Sequence, residues 1–150
     1  MQVIPFMQIL LIEDNKGDAT LVKMGLRAAS ATVDLTWLTT AEAGLQALED
    51  RPDFYDLILL DLNLPKMSGA QFVAEISNDK SQSNIPIMIL SSAPASQVVG
   101  APLGNRPVGY LTKPAELAGY ENIGKYVVNG LKKAAWEASD EISIKFKSAR

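Results

Sequence analysis

The chain has 150 residues, 47% of them hydrophobic and 21% charged, which fits one globular domain able to bury a core and leaves little room for a second. Its 14 basic and 17 acidic residues give a net charge of −3, so a nucleic-acid surface built on net charge is not expected. The absence of cysteine and histidine excludes disulfides, thiolate metal sites, cysteine nucleophiles, histidine bases and a phosphohistidine of the chain's own, leaving carboxylates, lysine, hydroxyls or a hard metal ion for any chemistry.

Met7 to Ile12 reads as a buried strand running into Glu13-Asp14-Asn15. The apolar run from Phe6 to Ile12 is broken by Gln8 and has no basic leader, so it is read neither as a signal peptide nor as a membrane span, and the cytoplasm is the expected compartment. Asp18 is placed to cap a helix reaching about Ala29, with Leu21, Val22, Met24, Gly25 and Leu26 as its inner face. Val33, Leu35 and Trp37 alternate with polar residues in a half-buried strand. Thr40 then caps a helix over Ala41 to Leu48, with Ala43, Ala47 and Leu48 as core contacts.

Leu57 to Leu60 are four consecutive large apolar residues, too few for a buried helix, and read as a strand covered on both faces. Asp61 ends that strand. It is either a carboxylate placed for chemistry at the edge where open α/β sheets bind ligands, or simply the opener of a turn. Glu13 and Asp14 end the first strand in the same way, and two such ends side by side make a hard-oxygen site suited to Mg²⁺. Strand and helix alternate to this point, which argues for a mostly parallel, doubly wound sheet.

Ser68 is placed to cap a helix carrying Phe72, Val73 and Ile76, and Ile85 to Leu90 form a fourth strand delivering Ser91-Ser92, which is also ordinary loop chemistry. Pro94, Gly100, Pro102, Gly104 and Pro107 allow only a short helix, about Ala95 to Val99. A brief fifth strand, Val108 to Leu111, leads to Thr112-Lys113-Pro114. A last helix is expected from Glu116 or Tyr120 to about Ala138, with Ile123, Val127, Leu131 and Ala134 inside and weakened by Gly119, Gly124 and Gly130. Residues 139–150 read as a tail, either frayed or supplying an added strand or a homodimer contact. Repeats and low-complexity tracts are absent.

The motifs LLIEDN, LILLDLNLP, ILSS and GYLTKP, with the intervals between Asp61, Ser91 and Lys113, resemble the receiver domain of bacterial two-component response regulators, over about Gln8 to Ala138. EDNxGD with DLNLP looks most like the single-domain regulators that partner bacteriophytochrome-type and other histidine kinases. The resemblance implies a flavodoxin-like (βα)5 sandwich with a five-stranded parallel sheet, forming a receiver over residues 1–138. It implies that Asp61 accepts a phosphoryl group from a histidine kinase or phosphotransfer protein. Asp14, Asp61 and the Asn63 carbonyl would hold Mg²⁺, with Glu13 acting through a water. Lys113 and Ser91 would meet the phosphoryl oxygens, and Tyr110 would swing inward as the switch aromatic; the other reading of Tyr110 is a partly buried edge-strand residue. The output would be contact with a downstream protein target, with no nucleic acid or membrane and no enzymatic turnover.

Two features depart from the family pattern: Ser92 stands where a small alanine is common, and Ala93 to Pro107 is unusually rich in proline and glycine. A haloacid dehalogenase-type phosphatase would need an acid two residues after the nucleophile, where this chain has Asn63. A nucleotide-binding domain lacks its glycine-rich loop. The alternative is a pseudo-receiver that keeps the fold as a docking module without being phosphorylated.

Overall fold

The computed structural model of the chain describes residues 6–79, 85–92 and 108–132. They form five strands and four helices: β1 (Met7–Ile12), α1 (Lys16–Ala29), β2 (Val33–Leu38), α2 (Ala41–Asp50), β3 (Leu57–Leu60), α3 (Gly69–Ser77), β4 (Ile87–Ser91), β5 (Val108–Thr112) and α4 (Leu117–Lys132). The strands make one sheet in the order β2-β1-β3-β4-β5, with every pair parallel. This is the expected flavodoxin-like architecture. The order reverses between β1 and β3, and the crevice at such a switch point is where ligands enter open α/β sheets.

Side-chain alternation along the strands builds the three layers. Ile9, Leu11, Leu57, Leu59, Met88 and Leu90 point to the face covered by α1 and α4. Leu10, Ile12, Ile58, Leu60 and Ile87 point to the opposite face, under Leu48 of α2 and Phe72, Val73 and Ile76 of α3. A strand buried on both sides must be apolar at every position, which is why β1 and β3 read as continuous runs. Each such leucine or isoleucine stabilises the fold by about 1.5–3 kcal/mol relative to exposure.

Several expectations shift. The cap of α1 is Asn15, whose side chain accepts from the Asp18 backbone N–H, so Asp18 lies inside the first turn. The buried residues of α1 are Ala19, Val22, Gly25 and Leu26; Met24 is exposed, because its position has turned away from the sheet. In α2 the buried residues are Ala41, Gly44 and Leu48, with Ala43 and Ala47 half-buried. Trp37 is exposed on edge strand β2. β4 begins two residues later than expected, since Pro86 has no N–H for the ladder and contributes only its carbonyl, to Ile58. Thr40 and Ser68 cap α2 and α3 as expected, Ser68 in a reciprocal capping box with Gln71.

The largest correction concerns glycine. Gly124, expected only to weaken the last helix, faces Gly25 where α1 crosses α4. A Cβ on Gly124 would lie 2.0 Å from the Gly25 carbonyl oxygen, and one on Gly25 would lie 2.1 Å from the Tyr120 carbonyl oxygen. Backbone approaches that close admit only glycine. The expected helix over Ala95 to Val99, the end of the last helix and the tail 139–150 fall outside the described residues.

Candidate functional site

The site is built by extending the sheet's hydrogen bonding one residue past its strand ends. Glu13 N–H donates to the Leu38 carbonyl at 3.0 Å, Asp61 N–H to the Ile12 carbonyl at 3.0 Å, and Lys113 N–H to the Ser91 carbonyl at 2.8 Å. Each chemically competent residue is thus tied to the neighbouring strand. At the outer edge the Trp37 indole N–H donates to the Glu13 carbonyl at 2.7 Å.

The side chains converge on Lys113. Its ammonium lies 2.6 Å from Glu13 Oε1, 2.9 Å from Asp18 Oδ2 and 3.5 Å from Asp61 Oδ2. Glu13 and Asp61 are buried, at 1% and 5% exposure, whereas Asp14 stands at the solvent side. Asp61 divides its two oxygens: Oδ1 accepts from the Asn63 backbone N–H at 3.1 Å and sets the turn, while Oδ2 faces Lys113. The two readings of Asp61 are therefore compatible. Ser91 is fully buried at the end of β4, beside β5. Tyr110 on β5 is already buried at 6% exposure, and its hydroxyl has no hydrogen-bond partner among the described residues. Burial raises the Tyr110 phenol above its ordinary value.

Electrostatics follow from packing this much charge into little water. Burial, reinforced by a hydrogen bond with Asp61, pushes the Glu13 carboxyl up to about 7, against the pull of Lys113 and of the Asn15 N–H. For Lys113 burial works against the charge, but Glu13, Asp18 and Asp61 outweigh it, and its pKa is raised. The ammonium stays protonated throughout the neutral range.

Glu13, Asp14 and Asp61 each offer a carboxylate oxygen, all within 4.8 Å of one another. An all-oxygen set with both buried and solvent-facing members fits Mg²⁺, which keeps several waters and takes one or two carboxylates. Sequence reasoning missed two members of the site. Asp18 was legible as the N3 position of an Asn-x-x-Asp pattern, which moves the cap to Asn15. Trp37 had no signal of its own, because its contact depends on the register that pairs Ile12 with Leu38.

The family model described as "Response regulator receiver domain" matches residues 9–121. The chain belongs to the response regulator receiver family. Response regulator Rcp1 of Synechocystis is 33% identical over 114 residues, covering 73% of this chain and 78% of the relative. The solved structure of a phosphorylated cyanobacterial phytochrome response regulator, RcpA, superposes with a TM-score of 0.75 at 28% identity, covering 87% of this receiver and 96% of that chain. The receiver domain of the Pseudomonas aeruginosa sensor histidine kinase PA1611, solved with magnesium coordinated in its active-site cleft, gives 0.66 at 25% identity, covering 83% and 98%. The chain spans about half the length of the transcriptional regulators it also matches, QseB and CtrA, 48% and 44% of their lengths. Receiver domains are signalling proteins that work with histidine kinases or phosphotransfer proteins in phosphorelays. No described helix of this receiver is long and apolar enough to cross a membrane.

Proposed function

We propose that this receiver takes a phosphoryl group onto Asp61 from the phosphohistidine of a histidine kinase or phosphotransfer protein. It would pass the signal on by protein contact in the cytoplasm, as a phosphoacceptor without turnover chemistry of its own. The observation that carries the reading is the convergence of three carboxylate oxygens within 4.8 Å beside a lysine whose ammonium is 3.5 Å from Asp61.

In this reading an Asp61 oxygen attacks phosphorus, the O–P bond forms, and the phosphorus–nitrogen bond to the donor imidazole breaks, returning the electron pair to the imidazole. Asp14, Asp61 and the Asn63 carbonyl would hold Mg²⁺, with Glu13 acting through a water. Bound there, Mg²⁺ would neutralise charge on the phosphoryl oxygens of a loose, in-line transfer. Lys113, whose ammonium is 3.5 Å from Asp61, would add a second positive charge. Ser91 hydrogen-bonds the phosphoryl group, and Tyr110, buried behind it, registers the change in β5 as the switch aromatic. The receiver unit is taken as residues 1–138, with 139–150 as a tail that is a candidate dimer contact.

Intact mass after incubation with acetyl phosphate tests the reading. A gain of one phosphoryl group that requires Mg²⁺ and disappears in Asp61→Asn is expected. A folded protein that gains no mass with Mg²⁺ present would sink the reading and favour a docking module.

A further inference from the structure

An ammonium has three N–H donors, and those of Lys113 face three carboxylates. The ammonium is held closer to Glu13 and Asp18, at 2.6 and 2.9 Å, than to Asp61, at 3.5 Å, so a move onto the oxygens of a phosphoryl group on Asp61 loosens one of the two shorter contacts. Glu13 is poorly suited to yield: its side chain is 2% exposed and has almost no water to replace the lysine. Asp18 is well suited. Its side chain is 32% exposed and it stands in the first turn of α1, where water and the positive end of the helix dipole support a carboxylate that has lost its partner.

We propose that Asp18 is a latch on Lys113, a positioning residue that holds the ammonium 2.9 Å from itself and at 3.5 Å from Asp61 until phosphorylation draws it away. The inference rests on Asp61 being the phosphoacceptor and deepens that reading. Asp18 touches no reacting atom; it exchanges Lys113 for water. Its effect is to make the empty receiver slower to react, because the ion pair must loosen before Lys113 can support the transfer. Asp18 thus sets how readily the site accepts a phosphoryl group, independently of any contact with the donor protein.

The test is the initial rate of phosphorylation by acetyl phosphate and Mg²⁺, read by intact mass, for the natural chain, Asp18→Asn and Asp18→Glu. In this reaction the Asp61 O–P bond forms as the phosphorus–oxygen bond to acetate breaks and acetate leaves. Asp18→Asn is expected to react about three- to five-fold faster, the size of a partly exposed ion pair. Asp18→Glu is expected to return close to the natural rate. The helix cap is kept in both variants, since Asn15 accepts from the backbone of residue 18. A merely structural loss would slow the reaction, so the direction of the change separates the two roles. An unchanged or slower rate in Asp18→Asn, or failure of glutamate to restore it, overturns the latch. If the natural chain itself gains no phosphoryl mass, the phosphoacceptor reading fails and takes the latch with it. If it does and Asp18→Asn is no faster, the latch alone fails.

Discussion

Lys113 Nζ lies 2.6 Å from Glu13 Oε1, and that carboxylate side chain is only 2% exposed. A buried acid is tolerated because a cation reaches it from the other end of the chain. The same pairing leaves the site dependent on Lys113 and on pH.

Removing the cation should be costly. Lys113→Met leaves Glu13 buried beside Asp61 with no compensating charge, a loss of about 3 kcal/mol at pH 8 in EDTA. Thermal melts should show the deficit shrinking at pH 6, where Glu13 takes up a proton, and on addition of Mg²⁺, which supplies the missing charge. A deficit equal under all three conditions would mean that Lys113 contributes by packing alone.

The raised Glu13 pKa sets a pH window. Between the ordinary value of 4.5 and about 7 the folded, metal-free protein holds a proton that the unfolded chain has released. Glu13's contribution to stability is therefore greatest below that window and is lost as pH rises through about 7. Metal affinity should move the opposite way, because the carboxylate must be deprotonated to take part. Calorimetric Mg²⁺ titrations are expected to tighten from pH 6 to pH 8, and Glu13→Gln should flatten that dependence.

Gly25→Ala should be among the most damaging single methyl additions available. Its Cβ would lie 2.1 Å from the Tyr120 carbonyl oxygen, backbone against backbone, so α1 and α4 must separate. A loss of about 3 kcal/mol is expected in urea unfolding. Gly17→Ala is the control: its Cβ meets only the Asn15 side-chain oxygen, at 3.2 Å, and it should cost far less.

Trp37→Phe removes the indole N–H that holds the Glu13 carbonyl at 2.7 Å, and about 1 kcal/mol of stability with it. With Trp136→Phe as background, Trp37 emission should change saturably with Mg²⁺. An Asp14→Asn variant should shift that titration to higher Mg²⁺ concentration.

Much of the fold could be read directly from residues because burial on two faces leaves little choice. Leu57 to Leu60 and Ile9 to Ile12 are apolar at every position since each alternate side chain enters a different core. Glu13, Asp14, Asp61 and Lys113 drew attention as charged residues at strand ends, but Asp61 also read as an ordinary turn opener, and it was the set of family motifs that favoured the chemical reading. Ser91 did not stand out alone, since serine is ordinary in a loop; its place in β4 beside β5 gives it meaning.

The sequence by itself determined the strand and helix alternation, the all-oxygen donors and the family motifs, because periodicity and residue chemistry are local properties. Only the tertiary structure decided that Asp18 reaches Lys113 across 95 residues, that Trp37 holds the Glu13 carbonyl, and that Gly124, read as a weak point, meets Gly25 at a helix crossing. The physical reason is the same in each case. These contacts join elements far apart in the chain, and their distances are fixed by strand register and helix packing, which no single stretch of sequence encodes.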